Sequence, residues 1–319
     1  MNKSRLLVVF VAAGAMSPAV WGQDAPATAD RATPESVALL RWYQINQTPA
    51  EFSVGQQPAG AAFDGANMWI ANSQSGSVTK LRAGDGAALG TFVVGGTPSW
   101  MAFDGANMWV NNGSSLVKLR AGDGHQLGVF NVGPSPQQMA FDGVSIWVVL
   151  FAFPQGSLAK VRPRDGAVLA TVPLSFVPEG IAFDGVDIWV TLGNSTVDKI
   201  NPSDGAMVAT FSPGMILPVP GGLAFDGVHM WLADNSGKVV KVRASDDAVV
   251  GTFPLSNFNP VDIIFDGRAI WVDGVQGVEK LRIIDGAVIG GVSLPLGVKA
   301  CDGANVWAVD PANNAVRKL

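Results

Sequence analysis

The sequence predicts an all-β protein, a seven-bladed β-propeller with four antiparallel strands in each blade, and three observations carry that reading. The first is a repeated stretch. AFDGANMWIAN at 62–72 returns as AFDGANMWVNN from Ala102, AFDGVSIWVVL from Ala140 and AFDGVDIWVTL from Ala182. It returns again as AFDGVHMWLAD from Ala224, IFDGRAIWVDG from Ile264 and ACDGANVWAVD from Ala300. The second is spacing. The motif tryptophans Trp69, Trp109, Trp147, Trp189, Trp231, Trp271 and Trp307 recur every 36–42 residues, a period that belongs to supersecondary units packed side by side. The third is the content of each repeat. It is rich in Val, Thr, Gly and Trp, it is broken by turn residues at short intervals, and it lacks the helical patterning that arrays of similar period require.

The second repeat serves as the template. Pro98–Phe103 reads as a first strand, and Asp104-Gly105 as a hairpin turn, because glycine accepts positive φ and aspartate bonds its own backbone. Met108–Asn111 reads as the second strand, Asn112-Gly113-Ser114 as a loop and Leu116–Arg120 as the third strand. Gly122-Asp123-Gly124 is another tight turn, and Gln126–Val132 the fourth strand. Runs such as Met-Trp-Val are apolar toward both faces, which suits blades stacked face to face.

In chain order, residues 1–22 read as a secretory signal peptide: Lys3 and Arg5 precede the apolar run Leu6–Ala15, and small residues follow. That run is short for a membrane span, and the expected location is periplasmic or secreted. Residues 23–47 read as a leader with a short helix over Thr33–Tyr43, where Thr33 caps and Pro34 takes the first position. Residues 48–319 form the propeller. Thr48–Gly55 matches the fourth strand of other repeats, whereas the chain stops at Leu319 after a third strand. The N-terminal strand is therefore expected to complete the last blade, with Glu51–Val54 paired to Ala315–Lys318. A ring closed in this way has no blade left half-paired and no free sheet edge, so a monomer is expected.

Composition excludes several roles. The formal net charge of −5 argues against nucleic acid, which needs a basic footprint. The pairs Lys80/Arg82, Lys118/Arg120, Lys160/Arg162, Lys241/Arg243 and Lys280/Arg282 hold one fixed place in the third strand. They read as outer-strand residues with stems lying on apolar surface, offset by the aspartate of the following turn. Cys301 is the single cysteine and reads as a small buried side chain with no disulfide. The seven motif aspartates are spread one per blade and are each accounted for by a turn, so no metal cage is expected. No P-loop, serine elbow or HExxH motif is present, and no cofactor is expected.

The Phe-Asp-Gly turns and the later Asp-Gly turns fall on one face of the disc and barely vary between repeats. The other face carries the connections that differ: Leu150–Gly156, Ser175–Glu179, Pro213–Pro220 and Ser256–Pro260. The start of each first strand, beside the central channel, also varies, reading Gly60, Trp100, Gln138, Gly180, Gly222, Asp262 and Val298. This face thus gathers Trp100, Phe151, Phe153, Phe176, Met215 and Phe258 beside Gln137, Gln138, Glu179 and Asp262. Apolar residues around a few convergent polar groups compose a ligand site, for a small molecule, a carbohydrate or a protein partner. The competing reading is that the loops fold over and seal the channel.

The repeats resemble the exported bacterial propellers that carry tandem FDGxxIWVxN…VxKLRxxDG units and, more distantly, the NHL-type and streptogramin B lyase-type propellers. The resemblance covers residues 48–319. The lyase resemblance implies a general-base histidine and acidic metal partners on one face. This chain has two histidines, His125 after the Asp123-Gly124 turn and His229 in the blade-five hairpin, both on the invariant face by this reading. Three functions follow: an exported binding or interaction propeller, a lyase or hydrolase of a sugar, lactone or cyclic ester with Glu179 and Asp262 as acid and base, and a structural envelope protein.

Overall fold

The computed structural model describes residues 50–215, 220–256 and 259–319. The expectations for the signal peptide, the leader helix and Phe258 lie outside the described residues. Those residues form seven four-stranded antiparallel sheets, the predicted propeller. In blade one the strands are Pro58–Phe63, Asn67–Asn72, Ser77–Arg82 and Ala88–Val93, ordered from the channel outward. The first strands of neighbouring blades adjoin one another around the channel.

Two strand limits in blade two differ from the reading. The first strand is regular only over Met101–Phe103, because Trp100 departs from the regular ladder, although its carbonyl still accepts from Asn111 N at 2.9 Å. The fourth strand ends at Phe130, where the Asn131 side chain turns back to accept from Gly133 N at 3.1 Å.

The ring closes as expected. Ala50–Ser53 runs antiparallel to Ala315–Lys318, with Glu51 opposite Arg317 and Phe52 opposite Val316. Val54 N continues the pairing onto Asn314 O at 3.0 Å. Arg317 ties the seam twice, to Glu51 at 2.7 Å and to Asp310 at 2.9 Å. Phe52 stacks on Trp307 with ring centroids 5.6 Å apart.

Each motif tryptophan is the core of a joint between blades. Trp147 of blade three packs with Ile181, Ile188, Val190 and Leu192 of blade four, and Trp307 of blade seven packs with Met68 and Ile70 of blade one. A buried indole must place its N–H, and the turn aspartate receives it. Asp104 accepts from Ala106 N at 2.9 Å and Asn107 N at 2.6 Å through one oxygen, and from Trp109 Nε1 at 2.8 Å through the other. The indole-to-aspartate bond repeats in all seven blades at 2.6–2.8 Å. Burial alone would raise the Asp64 carboxyl. Donation by Trp69, Asn67 and two backbone N–H groups outweighs it and holds the group below the usual range.

The third-strand lysines, read from sequence as outer-strand residues with stems on apolar surface, lie deeper than that reading placed them. Lys80, Lys118, Lys199 and Lys241 are buried, and in every blade the ammonium lies over the motif indole at 4.5–5.5 Å. Six of the seven reach into the next blade, as Lys118 Nζ donates to Pro163 O and Lys160 Nζ to Pro202 O, whereas Lys280 Nζ lies 3.6 Å from Asp266 of its own blade. Lys318 of blade seven donates to Ala83 O of blade one at 2.8 Å. The partner arginines stay exposed and bond the turn aspartates, as Arg120 does Asp123 at 2.9 Å.

The two aspartate-turn types therefore carry different weight. Asp104→Ala strands a buried indole N–H and is expected to cost about 3 kcal/mol, read as the urea midpoint. Asp123→Ala, at the exposed turn, is expected to leave that midpoint nearly unmoved.

Candidate functional site

The first strand of a blade is where the scaffold permits variation, and the reason is a bulge. In blades one, three, four, five and six the pairing of first and second strands slips just after a proline. The unpaired residues include Ala59, Gln137, Gln138, Glu179 and Val261. A bulge turns its extra residue away from the ladder, here toward the channel mouth on the face opposite the aspartate turns. In blade seven the slip falls later, between Val298 and Ala300. Val298, read from sequence as facing the channel, is consequently buried in the blade-seven core, and Lys299 faces the mouth in its place.

These residues enclose a cavity of about 450 Å³ lined by Trp100, Gln137, Gln138, Phe151, Pro178, Glu179, Asn235, Val261, Asp262 and Lys299. Six blades contribute. Six of the residues singled out in the sequence meet here: Trp100, Gln137, Gln138, Phe151, Glu179 and Asp262. The remaining four do not line it. Phe153 is 82% exposed, because its loop carries it outward. Phe176 packs on the blade-four core, and Met215 is buried in the core between blades four and five. Both are long apolar side chains with a joint to fill. Phe258 lies outside the described residues.

Sequence reasoning missed Pro178, Asn235, Val261 and Lys299. Pro178 and Val261 are immediate neighbours of residues that it named. Lys299 was concealed by the shifted bulge, which no spacing rule reports. Asn235 sits in the Asp234–Gly237 turn, where Asn and Gly are ordinary turn formers.

Asp262 is committed to an ion pair. Its Oδ2 lies 2.8 Å from Lys299 Nζ, and Asp273 Oδ2 lies 3.9 Å from the same nitrogen. Asp273 Oδ1 accepts from Asp262 N at 2.5 Å, and the ammonium also lies 5.4 Å from the Trp100 ring centre. Burial pushes the Asp273 carboxyl up to about 7, with Lys299 opposing and Asp262 adding to the rise. Burial works against the Lys299 ammonium, but the two carboxylates outweigh it and hold its pKa above the usual lysine value. Gly222 is required beside this trio, since a Cβ there would collide with the Asp262 carboxylate.

Glu179 differs. It has no ion-pair partner among the described residues, and burial raises its pKa. Asp262 is thus tied up as one half of the acid–base pair considered from sequence, and Glu179 is the free carboxylate of the cavity. Gln138 is partly committed, accepting from Ile181 N at 3.2 Å. Both histidines lie at the turns of the opposite face, where His229 Nδ1 is 3.2 Å from Asp226 Oδ2 and His125 N bonds Asp123. Among the described residues no group of three or more His, Cys, Asp or Glu side chains is arranged to hold a metal ion.

No protein-family model matches the chain, and no curated protein matches its sequence. Solved structures do. A hydrazine synthase chain of Kuenenia stuttgartiensis superposes with a TM-score of 0.70 at 17% identity, over 86% of this chain and 98% of that one. A streptogramin B lyase structure superposes with a TM-score of 0.70 at 16% identity, over 85% and 96%. At such identities the likeness establishes the propeller fold, and chemistry has to be argued from the site.

The buried trio predicts a pH dependence. Asp273 titrates near 7 in the fold against 3.8 as a model carboxyl, so between those values the folded chain holds a proton that the unfolded chain has lost. This group's contribution to stability therefore falls as pH rises from about 4 to about 7 and is level above. Asp273→Asn is expected to flatten the dependence of the urea midpoint on pH across that window. The lowered motif aspartates, such as Asp64, act below it and Lys299 above it.

Proposed function

We propose that this chain is an exported binding propeller whose channel-mouth cavity takes a small, neutral, polyhydroxylated ligand of the carbohydrate class. Export rests on the charged start and short apolar run of residues 1–22. The binding reading rests on one observation: a cavity that joins two aromatic side chains to unsaturated polar ones. Trp100 and Phe151 offer apolar surface, while Gln137 and Asn235 offer amides and Glu179 a carboxylate. That mixture is what a ligand site uses for contact area and orientation.

The charges narrow the ligand. An anion would meet Glu179 and Asp262, and the lysine that could offset them is already shared between two carboxylates. A cation would meet the Lys299 ammonium at the aromatic platform that it would otherwise prefer. Hydroxyl groups suit both kinds of neighbour, because they donate to a carboxylate and exchange bonds with amides in either direction.

The reading is tested by calorimetric titration with a panel of mono- and disaccharides. Trp100→Ala and Glu179→Gln are each expected to weaken binding at least about tenfold, about 1.4 kcal/mol. Phe153→Ala, outside the cavity, should leave it unchanged. Binding that survives Trp100→Ala, or no binding by any saccharide, defeats the proposal.

A further inference from the structure

A second cavity, of about 470 Å³, opens on the same face between blades six, seven and one. It is not separate from the first. Val261 and Lys299 line both, so the two spaces meet across these side chains. Their linings differ in kind. The second is walled by Pro58, Val275, Pro295, Leu296, Val309 and Pro311.

Apart from the exposed Gln57 side chain, the polar groups of that space are already occupied. Ser73 Oγ donates to Gln57 O at 2.9 Å, and Gln57 N donates to the Asn314 side chain at 3.0 Å. Asp273 and Lys299 are held by each other and by Asp262. Among the described residues the space therefore offers mainly apolar contact area, with the exposed Gln57 amide at its margin. Val261 and Val275, at 54% and 67% exposed, leave apolar surface in water that an apolar group would cover at a gain.

We infer that the two cavities form one bipartite site, and that its ligand is amphipathic: a sugar head in the channel mouth joined to an alkyl or aryl tail that lies past Lys299 over Val261 and Val275. The inference rests on the carbohydrate reading of the first cavity. The paired Lys299 is suited to the junction. Its ammonium presents a polar edge to the head, and its stem presents methylenes to the tail.

The test is titration of the intact chain with methyl, hexyl and octyl glucosides and galactosides below their micelle concentrations. Affinity is expected to rise about fourfold per methylene buried, then level off when the groove is filled. Val275→Asp is expected to abolish that rise while leaving methyl glycoside affinity unchanged. Equal affinity for methyl and octyl glycosides overturns the bipartite site and leaves the carbohydrate reading standing. A rise that persists in Val275→Asp overturns it as well, since the tail then lies elsewhere. Failure of every glycoside, short or long, overturns both readings together.

Discussion

The structure depends on how each blade buries a tryptophan without stranding its N–H. A propeller blade is covered on both faces, so the middle of its second strand is apolar, and the widest side chain fills the gap that opens between sheets diverging from the axis. An indole brings one donor into that dry space. The turn aspartate answers it within five residues, and backbone N–H groups share the same carboxylate. The third-strand lysine lies over the ring face and, in every blade but the sixth, donates to a carbonyl of the next blade. One aspartate thus fixes the turn and the indole over which the lysine lies. The lysine, where it reaches the next blade, ties the joint that the indole fills. This explains why Asp, Trp and Lys scarcely vary among the seven repeats.

Because that cluster holds each blade from the outer and lower side, the inner strand is released from structural duty at its start. The bulges are the consequence. A residue outside the ladder has no cross-strand partner to satisfy and no packing slot to fit. It can be Ala, Gln, Glu or Val without strain. Six such positions ringing one channel produce a cavity whose chemistry is set blade by blade while the scaffold stays the same. The glycines at Gly60 and Gly222 serve this arrangement. A side chain at the first would strike the Ser99 carbonyl and one at the second the Asp262 carboxylate, so neighbouring inner strands could not approach as they do.

The fold was legible because seven copies of one motif at one period leave little else to build, and because the closing strand was written twice, as a fourth strand at Ala50–Ser53 and as a missing one after Lys318. The cavity was legible in part. Positions that break the repeat announce themselves, which is how Trp100, Gln137, Glu179 and Asp262 were found. What could not be read was register. Alignment sets Val298 in the place of Asp262, but one shifted bulge exchanges the faces of Val298 and Lys299, since alternation along a strand has a period of two. Nor could loop composition separate aromatics that line a space from those that fill a joint. Phe151 and Phe176 look alike in sequence, and only the packing of blades three and four distinguishes them.

The Asp262–Lys299–Asp273 trio can be set against the seven lysines of the scaffold. Six of those reach a carbonyl of the next blade and so serve the joint. Lys299 meets two carboxylates of blade six instead, at the one place where the inner strand is bulged late, and it makes no such link to a backbone carbonyl among the described bonds. Replacing such a buried trio by apolar side chains is often neutral or favourable for stability, so stability alone gives little reason to retain it. What the trio does achieve is a fixed charge balance at the boundary between two cavities. It withdraws a cation from the first, withdraws a carboxylate that would otherwise stand beside Glu179, and leaves Glu179 as the group free to meet a ligand. The groups that are already paired therefore shape the chemistry of this cavity as much as those that are left open.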